Sequence, residues 1–148
     1  MPEIQLLRAS AAASGLRGAK AEGRGFLGVD PVTQNDALLA RELTRQGAQV
    51  YRAGDTLVGY APNHEQPRQA FLASTSADPE PIRAVLAFLS TYQRCTSFVA
   101  MVPAGAEAAK AFAGCGFEQT GVLRDHRYQS GGYQDVLVLA KGEVPCPS

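Results

Sequence analysis

The stretch from Phe98 to Lys141 (FVAMVPAGAEAAKAFAGCGFEQTGVLRDHRYQSGGYQDVLVLAK) constrains the fold more than any other part of the chain. Phe98 to Val102 is an unbroken apolar run, the pattern of a strand buried on both faces. A short helix is predicted from about Gly105 to Ala113, closed by Gly114 and Gly116. Val122 to Tyr128 and Tyr133 to Ala140 flank Ser130-Gly131-Gly132, which predicts a β-hairpin. A strand buried on both faces must lie inside a sheet, so the rest of the chain has to supply covering helices.

The upstream residues supply them. Ile4 to Leu7 reads as a first strand. Residues 9–28 are rich in Ala, Gly and basic residues with weak periodicity, and predict a loosely ordered helix or loop. Thr33 to Gln46 reads as a helix capped by Thr33, with Asp36 three residues on, Gly47 past its end and an apolar face of Ala37, Leu38, Leu39 and Leu43. Gln49 to Arg52 and Thr56 to Tyr60 form a hairpin around Ala53-Gly54-Asp55. Pro62 to Pro67 is a loop and Ala70 to Ala73 a strand. Asp78 caps a helix running to about Gln93, with Ile82, Val85, Leu86 and Leu89 on one face. Helices on both faces of a mostly antiparallel sheet with a parallel neighbour make an α+β layout.

A length of 148 residues favours one domain, 1–148. Lys plus Arg equals Asp plus Glu at 14 each, so no basic field is available for nucleic acid or an anionic membrane surface. No apolar run approaches the ~18 residues of a membrane span. The first residues lack the charged-then-apolar order of a secretion signal. Cys95, Cys115 and Cys146 show no CxxC spacing and, with two histidines, no metal-ligand pattern. These features lead to the expectation of a reduced, cytoplasmic protein without a bound metal.

Three features carry a family resemblance. Gly105-x-x-Ala108-x-x-x-Phe112-x-x-x-Gly116-Phe117 resembles the helix-to-strand segment of the GNAT superfamily of N-acetyltransferases, usually Asn-x-x-Ala-x-x-x-Tyr-x-x-x-Gly-Phe. Gly121-Val122-Leu123-Arg124 followed by Gly132-Tyr133-x-Asp135 resembles the closing hairpin of the family's ribosomal-protein-acetylating and sugar-acetylating branches. The helix from Asp78 directly follows a strand, where the family places its pyrophosphate loop. The resemblance spans about residues 70–141. It implies a GNAT-like fold, acetyl-CoA or another acyl donor as cofactor, and a small-molecule or protein amine as acceptor. The donor would lie in a wedge between the Phe71–Ser74 and Phe98–Val102 strands. Leu72, Ala73 and Ser74 would hold its pantetheine arm, Ser76 and Arg83 would lie towards its phosphates, and Phe112 would border it.

The same residues depart from the family at two points. Its pyrophosphate loop resembles Arg-x-x-Gly-x-Gly, whose glycines let backbone N–H groups approach an anion at a helix N-terminus. Here the stretch is Ser76-Ala77-Asp78-Pro79-Glu80-Pro81-Ile82-Arg83. It has no glycine, its two prolines have no N–H, and two carboxylates occupy the helix start. Phe112 stands where the family commonly has a tyrosine proposed to protonate the leaving thiolate. For a general base the candidates are His64 and Glu65, in the loop before the central strand. His126 and Tyr128 on the closing hairpin are weaker ones. Asp135 is expected to pair with Arg124 or Arg127 across the hairpin.

Two readings follow. One is an N-acyltransferase, with a carrier-bound acyl donor relieving the need for a pyrophosphate loop. The other is a catalytically silent GNAT-like assembly module, whose partners would be proteins. A third, fainter one is a sensor holding a different ligand in the wedge. They are discriminated by whether the strand wedge is open or filled: plugging by Tyr92, Phe112 or Met101 would exclude the first.

Overall fold

The computed structural model describes residues 4–129 and 132–142, with the backbone alone for residues 20, 21 and 127–129. In chain order the elements are β1 (Gln5–Leu7), α1 (Ala9–Ala19), two 3₁₀ turns (Lys20–Gly23 and Phe26–Gly28), α2 (Asp36–Arg45), β2 (Gln49–Ala53), β3 (Thr56–Pro62), β4 (Gln69–Ser74), α3 (Glu80–Tyr92), β5 (Ser97–Pro103), α4 (Ala108–Gly114), β6 (Glu118–Gln129) and β7 (Gly132–Lys141). Among the described residues they build one seven-stranded sheet in the order β1-β2-β3-β4-β5-β7-β6. Only β4 and β5 run parallel; every other neighbouring pair is antiparallel. The expected α+β architecture is therefore present.

Strand alternation sends successive side chains to opposite faces, and each face has its own core. On one face Leu72, Phe98, Ala100 and Val102 of the sheet pack against Ile82, Val85 and Leu89 of α3 and against Ala111 and Phe112 of α4. On the other, Val50, Leu57 and Ala73 pack against Ala12, Ala13 and Leu16 of α1, Leu39 and Leu43 of α2, and Phe26.

Several local expectations change. Residues 9–19 form a defined helix rather than a loose segment. Their weak periodicity reflects small residues that allow close packing: a Cβ at Gly15 would stand 3.0 Å from Leu57 Cδ1. α2 starts later than expected, capped by Asn35 rather than Thr33. Asn35 Oδ1 accepts from the Leu38 amide at 2.9 Å. Leu38 is exposed, and the core face of α2 is carried by Leu39 and Leu43. Asp78 accepts a hydrogen bond from the Glu80 amide at 3.0 Å, but the cap position is Pro79, one residue later, and α3 starts at Glu80.

The closing hairpin is as expected, with a bulge on β6 where Arg124, Asp125 and His126 oppose Asp135. Asp135 holds this bulge by accepting from Arg124 at 3.1 Å and from the Asp125 amide at 3.0 Å. Asp125 takes φ 49 there. The hairpin tip at Ser130 and Gly131, the Tyr128 and Arg127 side chains, and Cys146 lie outside the described residues.

Candidate functional site

The ladder between β4 and β5 runs from Gln69↔Ser97 to Leu72↔Ala100 and stops there. Both strands continue, β4 to Ser74 and β5 to Pro103, each still paired to its outer neighbour. The two parallel strands therefore separate over their last residues, and the sheet has a wedge in its middle. Thr75 donates its amide to the Leu57 carbonyl of β3 at 3.1 Å. The Ser74 amide, one residue back, is then directed to the β5 side, into the wedge.

The wedge is filled by the chain itself. Phe112 of α4 reaches it from one face of the sheet. From the other come Glu22, Arg24, Gly25 and Phe26, which connect α1 to α2. The space left between them, Ala73, Ser74 and residues 101–103 of β5 is about 10 Å³, close to the room needed by one water. Of the residues expected to decide the matter, Tyr92 is 73% exposed and lies elsewhere, while Phe112 and Met101 are part of the lining. Besides Phe112, the filling comes from a connector between helices, whose Phe26 is also part of the second core.

That connector has a defined geometry. Gly25 (φ 79), Leu27 (φ 47) and Gly28 (φ 83) are all left-handed, so the chain turns tightly enough to put the Phe26 ring against Gly59. A Cβ at Gly59 would stand 2.9 Å from two ring carbons. Leu27 is not a glycine, and its conformation costs about 1–2 kcal/mol. Tethers hold it in place: Gln46 Nε2 donates to the Leu27 carbonyl at 3.0 Å, and Glu22 Oε2 accepts from the Glu107 amide at 3.3 Å. Arg24 Nη2 donates to Asp30 Oδ2 at 3.0 Å. Burial pushes the Asp30 carboxyl up, but hydrogen bonds from Arg24, the Val32 amide and Thr33 outweigh it and leave the group below the usual carboxylate range. The Arg24 side chain is only 12% exposed, and its Nε is buried without a hydrogen-bond partner.

The start of α3 is not shaped for a pyrophosphate. The Asp78 amide is taken by Ser76 Oγ and the Glu80 amide by Asp78; Pro79 and Pro81 have none, and the Arg83 amide bonds the Pro79 carbonyl. No run of adjacent free amides is left. Ser76 and Arg83, expected to lie towards a donor's phosphates, are engaged within the fold. The Ser76 hydroxyl is 2.9 Å from that of Thr56. Arg83 pairs with Glu80 and donates to the Gly114 carbonyl at 2.8 Å. Cys115 Sγ donates to the Pro79 carbonyl at 3.3 Å, closing α4 against α3. Burial pushes the Cys115 thiol up, away from the thiolate a nucleophile needs.

His64 and Glu65 are brought together, but not to the wedge. Both are exposed and line a recess of about 460 Å³ with Arg45, Gln46, Asn63 and Phe71. It lies towards the opposite end of β4, where Phe71 is ~10 Å from Ser74 at ~3.3 Å per residue, and the loop that carries His64 and Glu65 precedes that strand. His64 and Glu65 therefore lie in the loop before the central strand, as expected, but away from the wedge, and direct proton transfer needs contact of about 3 Å. Leu72, Ala73, Ser74 and Phe112, in contrast, do meet at or beside it. Among the described residues no group of three His, Cys, Asp or Glu is placed to hold a metal ion. Nor is any described helix long and apolar enough to cross a membrane.

The residues missed by sequence reasoning are Glu22, Arg24 and Phe26. Their signal was the Gly23-Arg24-Gly25-Phe26-Leu27-Gly28 run, whose glycines mark tight turns but do not reveal what those turns approach.

No protein-family model matches the chain, and no curated protein matches it. Solved structures do. Spermidine N-acetyltransferase from Vibrio cholerae, in complex with CoA and spermine, is similar over 95% of this chain and 95% of its own, with TM-score 0.69 and 14% identity. Mycobacterium smegmatis RimJ in complex with CoA-disulfide is similar over 98% of this chain and 84% of its own, with TM-score 0.67 and 18% identity. The ribosomal-protein-S5-alanine acetyltransferase of Vibrio fischeri is similar over 96% and 93%, with TM-score 0.64 and 14% identity. At these identities the likeness is one of fold: the chain has the GNAT fold.

Proposed function

We propose that this chain holds a short acyl group in the β4–β5 wedge and transfers it to an amine. The donor would be a thioester that does not depend on a nucleotide pyrophosphate, such as an acyl group on a carrier protein. The observation that carries the reading is the ladder that ends at Leu72↔Ala100 while both strands run on. It leaves the Ser74 amide directed at a gap walled by Phe26, Val102 and Phe112. The three solved structures described above, all acetyltransferases and two of them bound to coenzyme A or its disulfide, support acyl transfer as the class of chemistry. The consumed amides and two prolines at the start of α3 favour a donor without the nucleotide.

The chain's own residues then act mainly by position. The Ser74 amide orients the donor arm, and the apolar walls exclude water from the thioester. Phe112 has no proton to give, so the departing thiolate takes its proton from solvent. Donor access requires the 22–28 connector to yield space. The acceptor amine loses its proton to water, because Glu65 is at the far end of β4.

A second reading, a catalytically silent binding module, is favoured by the filled wedge: Phe112, Met101 and the connector leave about 10 Å³, so acyl transfer stands only if the connector yields. Thermal unfolding with millimolar acetyl-CoA, free coenzyme A or an acyl-pantetheine separates the two. A ligand at ~100 times its Kd adds about 2.7 kcal/mol and raises the midpoint by several degrees. The expected result is a shift with the acyl-pantetheine and thiol release when an amine is added. An equal shift with acetyl-CoA overturns the choice of donor, and no shift with any thioester overturns acyl binding in favour of the silent module.

A further inference from the structure

A buried guanidinium with an unused donor is costly. A buried polar group without a partner loses about 1–3 kcal/mol, more when it is charged. Arg24 is in that position. Its Nη2 is held by Asp30, while its Nε is buried and unpartnered. The side chain lines the void of about 10 Å³ beside Ser74. Asp30 neutralises the charge, so what the site offers is one oriented N–H in an apolar enclosure rather than a general field for anions. A single oxygen attached to an alkyl tail matches that combination. Two flexible side chains of the lining lie partly in solvent, Glu22 and Met101, the latter 44% exposed. Room for a tail requires these side chains to swing outward, which releases the Glu22 tether to the Glu107 amide and lets the connector yield.

We propose that Arg24 is the oxygen-recognition residue of the wedge, donating Nε–H to the carbonyl oxygen of the bound acyl group while the alkyl portion lies against Phe26, Val102 and Phe112. This inference rests on the acyl-binding reading above and adds to it a specific donor and a requirement that the ligand carry a carbonyl. It also makes Arg24, positioned by Asp30, a group that touches the reacting thioester.

The test compares S-hexanoyl-N-acetylcysteamine with S-hexyl-N-acetylcysteamine, the thioether that lacks only the thioester carbonyl and keeps the acetamide, by calorimetry on the whole chain. The wild-type protein is expected to bind the thioester at least tenfold more tightly, the worth of one hydrogen bond from a charged donor. Arg24→Gln, and Arg24→Lys as the charge-keeping control, are expected to abolish that preference, read as the ratio of thioester to thioether affinity within each variant. Equal binding of thioester and thioether by the wild type overturns the role of Arg24 and leaves acyl binding standing, with a water in the void. Binding of neither compound overturns the acyl-binding reading itself. Equal binding by the wild type overturns the role of Arg24 without any variant; a preference is assigned to Arg24 rather than to the Ser74 amide by its loss in a variant shown by circular dichroism to be folded.

Discussion

Single side chains fix the ends of elements and the walls of the wedge, and their effects separate by burial. Asn35 caps α2 from an exposed position, so Asn35→Ala should cost about 1 kcal/mol. For a chain of this size that is a fall of roughly 2–4 °C in the unfolding midpoint, read by calorimetry. Phe112 is fully buried, with its ring edge-on to Phe117 at 4.9 Å between centroids. Phe112→Ala should cost about 3–5 kcal/mol in denaturant unfolding, several times the cap. Both residues were visible in the sequence, but not equally well. Phe112 stood out by its spacing to Gly116 and Phe117. Thr33 and Asn35 are both good caps, and only the backbone turn, with the Asn35 side chain placed for the Leu38 amide, decides between them.

Among the elements, the connector between α1 and α2 has the least predictable role. Its tight turns put Phe26 against Gly59 of β3, and no side chain fits between them. Gly59→Ala should therefore push Phe26 out, destabilise the fold by about 1–3 kcal/mol and loosen the connector. The measurable sign is faster tryptic cleavage after Arg24 in the folded protein. An unchanged cleavage rate would mean that the connector is held by its tethers, Gln46 to Leu27 and Glu22 to Glu107, rather than by the ring. Helix α3 behaves in the opposite way. Its start was legible from Asp78-Pro79-Glu80-Pro81, and the structure adds that Arg83, Cys115 and Pro79 close it against α4.

Across the whole molecule the sheet joins the two cores, and an aromatic pair on it contributes to the alkaline titration beside the raised thiols of Cys95 and Cys115. Tyr51 and Tyr60 stack at 6.4 Å on neighbouring strands. Burial, with Tyr51 alongside, pushes the Tyr60 hydroxyl up to about 12. An acid whose folded pKa is raised binds its proton more tightly when folded, so its contribution is complete below pH ~10. It is lost as pH rises from there to about 12. Wild-type stability should therefore sag over that alkaline window, by no more than about 3 kcal/mol from Tyr60. Tyr60→Phe should make the decline shallower in urea titrations from pH 9 to 12, leaving the part due to Tyr51, Cys95 and Cys115. The sequence by itself determined the order of elements, the α+β class and the helix start that offers no phosphate cradle. Those follow from local periodicity, turn chemistry and the missing N–H of proline. The tertiary structure alone decided where the β4–β5 ladder ends, that residues 22–28 enter the gap, that Arg24 Nε is left unpartnered there, and that His64 and Glu65 face a different recess. Each of these depends on which distant segments approach one another. Local preference does not encode such approaches, because a glycine-rich turn has the same sequence whether it faces solvent or a divided sheet.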